Sequence, residues 1–297
     1  MNAALGARSL LFVPGHRPER FGKALASGAD AVVVDLEDSV PPDAKARAAQ
    51  ALGGAWPTLD PSRVLVRVNA RGTPWHEDDL ALCARLRPVA VMVPKAEHAD
   101  DLQDAALQAR AGERGVLALV ESAVGVANAR AIAACPAVGR LVLGHIDLMA
   151  DLGLQCDADE RELDAVRFEL VLASRLAARP APVDGVTTAI DDEPRLIEDA
   201  RRGQRFGFGG KLCIHPRQIA PLHAALVPAP PQLAWARRVV EAVAAAGAGA
   251  VRVDGQMVDR PVLLRAQQLL ARAHAHEAAA SSASRSTSSR ANTGRLS

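Results

Sequence analysis

The chain has 297 residues, 49% of them apolar, with 35 basic and 34 acidic side chains and a formal net charge of +1. That length and composition bury a large core, either as one α/β barrel or as two average domains. The balanced charge excludes the global field that draws proteins to nucleic acid or an anionic membrane, so neither is an expected partner. No run approaches the roughly 20 apolar residues that span a bilayer, and the run before Pro14 is too short for a signal peptide, so a cytoplasmic protein is expected.

Taken in chain order, short β-branched apolar runs alternate with Ala-, Leu- and Arg-rich stretches of helical period, the pattern of a parallel sheet with crossover helices. Strands are expected at Ser9 to Val13, Ala31 to Asp35, Val64 to Val68, Ala90 to Val93, Val116 to Val120, Leu141 to Leu143, Val183 to Thr187 and Lys211 to Ile214. Helical period falls at Arg20 to Ser27, Pro42 to Leu52, Asp78 to Leu86, Asp100 to Ala111 and Glu160 to Ala178. Eight β/α units in about 220 residues fit a closed (β/α)8 TIM barrel, over residues 1–226, better than an open doubly wound sheet.

A Pro-rich hinge, Pro228 to Pro231, then leads into a C-terminal helical extension, 227–275. It holds a helix near Gln232 to Ala246 and a motif, Asp254 to Pro261, before a last helix. It is too small for a domain and is expected to pack on the barrel or on a neighbouring subunit. Residues 276–297 have almost nothing to bury and are expected to be disordered. Cys83, Cys135, Cys156 and Cys213 form neither a CxxC pair nor a cluster of zinc spacing, so buried, reduced thiols are expected.

In a (β/α)8 barrel, polar groups just past the strands' C-terminal ends converge on one mouth. Past the eight expected strands stand Pro14-Gly15-His16-Arg17, Asp35-Leu36-Glu37-Asp38, Asn69, Pro94-Lys95, Glu121-Ser122, Gly144-His145-Ile146-Asp147, Thr188 and His215-Pro216. Lysine is scarce, Lys23, Lys45, Lys95 and Lys211 only, and two of these, Lys45 and Lys95, fall near the mouth, where a compact ammonium does what a planar guanidinium cannot.

Glu121 and Asp147 end apolar strands, where an unpaired carboxylate is costly to desolvate. They need a cation. Two carboxylates with open positions for water and substrate oxygens make a typical magnesium site; a pair of barrel salt bridges is the alternative. Arg67, ending VLVR, is expected to aim its fork across the mouth at a carboxylate or carbonyl oxygen, or else to pair with Asp35 or Glu37. GFGGKL departs from P-loop spacing and reads as a tight turn into strand eight. His215, just before Pro216, reads as the structural start of a helix.

The segments SLLFVPG, DLEDSVPPDAKARA, LVRVN, MVPKAE, LVESAVGV, HIDLMADLG, GFGGKLCIHPRQI and DGQMVDRPV occur in order between Ser9 and about Leu270. Together they resemble the citrate lyase β-subunit-like branch of the HpcH/HpaI aldolase family. The resemblance implies a β/α barrel, commonly a homotrimer or hexamer, that cleaves or forms a carbon–carbon bond between an acyl thioester and a 2-oxo acid. It implies Glu121 and Asp147 as Mg2+ ligands, Arg67 as the group that binds and polarises the oxo acid, and Lys45 as an assistant at the mouth. Asp259 matches a family aspartate that reaches the site from the C-terminal segment, often of a neighbouring subunit, and is the candidate for proton transfer to the thioester enolate.

Where the family has small or polar residues before the metal-binding aspartate, this chain has His145 and Ile146 after Gly144. These three are expected to line and reshape the oxo-acid pocket. The thioester carrier is coenzyme A or acyl carrier protein, with coenzyme A favoured, and citryl-, citramalyl- and malyl-CoA are the candidate substrates. Two other readings remain open: a metal-dependent aldolase acting on free pyruvate or an aldehyde, and a catalytically idle scaffold that binds acyl-CoA.

Overall fold

The structure, a computed structural model, describes residues 3–246 and 251–274, which divide into two compact units between His223 and Ala224. In the first unit eight parallel strands close into a barrel in chain order, with β8 pairing back to β1. They are β1 (Ser9–Pro14), β2 (Ala31–Asp35), β3 (Val64–Arg67), β4 (Ala90–Val93), β5 (Val116–Val120), β6 (Val138–Leu143), β7 (Val183–Asp184) and β8 (Gly210–Cys213). This is the expected (β/α)8 barrel.

Each strand is buried throughout or nearly so, because one face meets the surrounding helices while the other fills the barrel. The filling comes from alternate residues in register: Leu10, Ala31, Val33, Leu65, Met92, Leu117, Leu119, Val142 and Leu212 pack into one cluster. Among the described residues no helix is long and apolar enough to cross a membrane.

β2, β4 and β5 lie where the residue pattern puts them, and β1, β3 and β8 differ by a residue at their ends; larger differences occur at β6, β7 and two helices. β6 begins at Val138, ahead of the expected Leu141, because Arg140 sits inside the strand, 1% exposed. Its guanidinium closes the N-terminal end of the barrel, donating to the carbonyls of Ala181 (2.7 Å), Ala7 (2.6 Å) and Ala4 (3.4 Å). β7 stops at Asp184, short of Thr187, as the Gly185 amide turns back onto the Asp184 carboxylate (3.0 Å). The expected helix Glu160 to Ala178 shortens to Asp164–Leu176, since Glu160 is left-handed (φ 50°) and a single 3-10 turn intervenes. The expected helix Arg20 to Ser27 shortens to Phe21–Leu25.

GFGGKL does form a turn, with Gly207 (φ 103°) closing the helix Glu193–Phe206 before β8. His215 caps the 3-10 turn Pro216–Gln218, its Nδ1 accepting from the Arg217 amide (3.2 Å). All four cysteines are free thiols; three are buried, whereas Cys156 is partly exposed, contrary to expectation.

The second unit holds a helix, Pro230–Ala246, that starts inside the expected hinge. A hairpin follows, β9 (Val251–Val253) and β10 (Gln256–Val258), joined through Asp254 and Gly255, both with positive φ as a tight two-residue turn requires. A last helix runs from 260. Ala236, Val239, Val251, Val253, Ala266 and Leu269 form its own small core, so the extension is more than helices alone. The expected disordered tail, 276–297, lies outside the described residues.

Candidate active site

At the C-terminal end of β2 the chain turns sharply through Asp35-Leu36-Glu37-Asp38. Asp35 organises that turn: its carboxylate accepts from the amides of Glu37 (2.9 Å) and Ser39 (3.0 Å). Arg67, one strand over and in register with it, grips Asp35 with Nε and Nη2, both at 2.7 Å. Burial works against the charge on Asp35, but the hydrogen bonds and charge of Arg67 hold its carboxyl below the usual range. The guanidinium rests on the Phe12 ring, 4.7 Å from its centre, and turns Nη1 toward Glu37 (3.1 Å) and Asp38 (3.3 Å). The pairing with Asp35 and Glu37 is thus realised.

Glu37 is buried, and its Oε2 accepts no well-directed hydrogen bond despite the nearby guanidinium. Burial pushes its pKa up to about 7; Arg67 opposes this, and Asp38 and Asp35 add to it.

β5 delivers Glu121, 4% exposed, to the same end. Its Oε1 accepts the Lys95 amide at 2.8 Å, an approach made possible by a left-handed backbone at Lys95 (φ 47°). Burial, then the charge of Glu37, pushes Glu121 up to about 8, with Asp147 adding to the rise. Gly144 crowds its other oxygen: a Cβ there would lie 2.5 Å from Oε2, so the position admits only glycine. Asp147 is exposed in the first turn of the helix His145–Leu152.

No group of three or more His, Cys, Asp or Glu is arranged to hold a metal ion among the described residues. What the site does contain is an excess of buried carboxyl groups, one of them with an oxygen that accepts no well-directed hydrogen bond, and that fits a hard cation bound through oxygen.

Lys45 is buried below the turn with its three donors committed to Leu36 O (2.9 Å), Glu37 O (2.7 Å) and Asn69 Oδ1 (2.5 Å). Asn69 is in turn fixed by Asp79, which accepts from its amide (2.9 Å) and its Nδ2 (2.6 Å). Sequence reasoning missed Asp79. Its signal is an acid on the buried face of the helix His76–Leu86, one turn ahead of Cys83.

Beside β6 and β7 lies a cavity of about 400 Å³ lined by His145, Ile146 and Met149 on one side and Val186 to Ala189 on the other. His145 is buried against Gly185, where any Cβ would come within 1.9 Å of its Nδ1, and burial pushes its pKa down. The cavity's outer wall, which includes Cys156 and Ala158, is tied down by Glu160. That carboxylate accepts from Arg202 (2.6 Å), Arg195 (3.1 Å) and Arg167. This network also escaped the sequence reading, although Asp199 and Arg202 at core positions of the helix Glu193–Phe206 signal it.

Gly144, His145 and Ile146 therefore separate: the first borders Glu121, the other two line the cavity. Asp259 belongs to the second unit, where its Oδ1 accepts from the Val262 amide (3.0 Å) at the start of the last helix.

Known proteins share this fold and most of this length. A family model, HpcH/HpaI aldolase/citrate lyase, matches residues 8–216. A citrate lyase subunit beta-like protein of Deinococcus radiodurans is 40% identical, covering 91% of this chain and 97% of its own. A (3S)-malyl-CoA thioesterase of Cereibacter sphaeroides is 35% identical, covering 90% and 95%. Among solved structures, the protein CitE of Mycobacterium tuberculosis in complex with magnesium, acetoacetate and coenzyme A superposes with a TM-score of 0.82 at 39% identity, covering 91% of this chain and 98% of that one. This chain belongs to the HpcH/HpaI aldolase/citrate lyase family, and with it to the carbon–carbon lyases.

Proposed function

We propose that this chain is a magnesium-dependent lyase that reversibly cleaves a 3-hydroxyacyl-CoA of the citryl-, citramalyl- or malyl-CoA type into acetyl-CoA and a 2-oxo acid. One observation carries the reading: buried Glu121 and Glu37, both pushed toward neutral pH, stand beside Arg67 at the barrel mouth. Glu121 and Asp147 would hold the metal, which when bound supplies a Lewis acid for the oxo acid's oxygens. Arg67, fixed by Asp35, stabilises charge on the substrate's hydroxyl oxygen.

In the cleavage direction the 3-hydroxyl loses its proton, and Glu37, poised near pH 7 and ion-paired with Arg67 without a well-directed hydrogen bond, is the acceptor this chain offers. The bond between the second and third carbons breaks, and its electron pair passes to the carbon next to the thioester. That carbon takes up one proton, for which Asp259 is the candidate donor. No oxidant or reductant is needed. Lys45 acts through backbone, holding the turn that carries Glu37. On this reading the chain is a homo-oligomer, trimer or hexamer, and Asp259 is shared between subunits.

A second reading, thioester hydrolysis, is favoured by the similarity to a malyl-CoA thioesterase. Incubation with magnesium and citryl-, citramalyl- and malyl-CoA tests both. Lyase action releases acetyl-CoA with oxaloacetate, pyruvate or glyoxylate; hydrolysis releases free coenzyme A and the intact hydroxy acid. Absence of an oxo acid in all three reactions overturns the lyase.

A further inference from the structure

We infer that the cavity between β6 and β7 receives the substituent on the carbinol carbon of the thioester, and that it selects an uncharged chain of several carbons over a carboxylate. The inference rests on the lyase reading and specifies its substrate class.

The cavity is built at the catalytic end. Seven of its lining residues stand two to six positions past β6 or β7, and His145 follows directly on Gly144, the residue against Glu121. Its volume, about 400 Å³, is about a dozen times the ~30 Å³ share of one water in the liquid. Hydrogen or methyl, as in malyl- or citramalyl-CoA, leaves most of that space unfilled. Ile146, Met149 and Val186 supply apolar wall, and Thr187 and Thr188 add neutral hydroxyls, with that of Thr187 donated to Asp199 (2.7 Å).

Charge sets the second half of the preference. Four acids line the space, Asp157, Glu160, Asp192 and Asp199, against one cation, Arg195. Arg195 is already committed, to Asp199 (2.9 Å) and to Glu160 (3.1 Å). Arg167 and Arg202 also bond Glu160, and even counting them the acids stay in excess, so a carboxylate entering here meets negative charge. A carboxymethyl group, as in citryl-CoA, is therefore rejected by charge and not by size.

The test compares four thioesters with magnesium present: malyl-CoA, citramalyl-CoA, citryl-CoA and the homologue of citramalyl-CoA in which butyl replaces methyl, cleaved to 2-oxohexanoate. The butyl homologue should match or exceed citramalyl-CoA in kcat/KM, and citryl-CoA should fall at least about tenfold below it. Ala189→Phe and Ala158→Phe, at exposed positions that tolerate bulk, fill the cavity from opposite walls. Each should lower kcat/KM for the butyl homologue by about tenfold or more and leave malyl-CoA within about twofold. Preference for citryl-CoA, or equal loss on all four thioesters in both variants, overturns the inference while the lyase stands. If none of the four is cleaved, the lyase reading fails by itself, and calorimetric titration with 2-oxohexanoate decides the cavity: binding that Ala189→Phe abolishes supports it, and no binding overturns it.

Discussion

At the N-terminal end of the barrel one buried cation, Arg140, is surrounded by the carbonyl oxygens of Ala4, Ala7 and Ala181, and Gly209 and Gly210 leave space for its guanidinium. At the C-terminal end Asp35, Glu37 and Glu121 crowd around one guanidinium, that of Arg67, and burial pushes two of the three acids toward neutral pH. Both ends bury charge, but they settle it differently. Three carbonyl dipoles take hydrogen bonds from Arg140, and burial lowers its pKa only to about 10, so it stays charged at neutral pH. The mouth is left with more negative charge than its own cations cover. A barrel closed by a satisfied charge is a scaffold, and one that ends in an unsatisfied charge is ready for a cation and an anionic substrate.

Substitutions can break this contrast. Arg140→Leu should have the largest effect, because it strands three buried carbonyls; a loss of about 3 kcal/mol or more in urea unfolding is expected, with turnover per folded molecule unchanged. Asp147→Ala should do the reverse. Turnover should drop by ~10²-fold or more and lose its dependence on magnesium, while the urea midpoint barely moves, since the side chain is exposed. Near-normal cleavage by that variant would remove Asp147 from the metal.

Lys45→Met should cost roughly 1–3 kcal/mol of stability, as Glu37 O, Leu36 O and Asn69 Oδ1 lose their shared donor. It should also weaken the pH dependence assigned to Glu37. If kcat collapses while the pH profile keeps its shape, Lys45 touches substrate and does not merely position the turn.

The gentlest probe is pH in the presence of chelator. Glu121 has a folded-state pKa of about 8 against an ordinary 4.5, so the folded protein binds the extra proton. Its contribution to stability is therefore greatest at low pH and is lost as pH rises from about 4.5 through about 8. Thermal melting without metal should fall across that window, and added magnesium should restore it most strongly at the alkaline end. A flat profile would mean that Glu121 is solvated and the mouth is no different from the other end.

Much of this was legible from residues alone. The short β-branched apolar runs between stretches of helical period located all eight strands, and the desolvation argument brought Glu121 to the mouth, because both depend on local burial; the same argument failed for Asp147, which stands exposed on a helix and not at the end of a strand. Arg140 misled for the same reason. An arginine in mid-strand reads as a boundary until the ring of carbonyls around it is known, and those come from residues more than forty positions away. Asp79, Glu160 and Arg202 went unread likewise. Most of their partners lie on other elements, and nothing in a linear pattern distinguishes a buried, paired charge from a solvated one.

The contact between Gly185 and the His145 ring bears on how such a protein diverges. A side chain at 185 would collide with the imidazole, and a short residue at 145 would leave a void over Gly185. The two positions are bound by epistasis: 185 can enlarge only after 145 has shrunk, so the mutational route out of this pocket shape has a fixed order, and its first step leaves a hole.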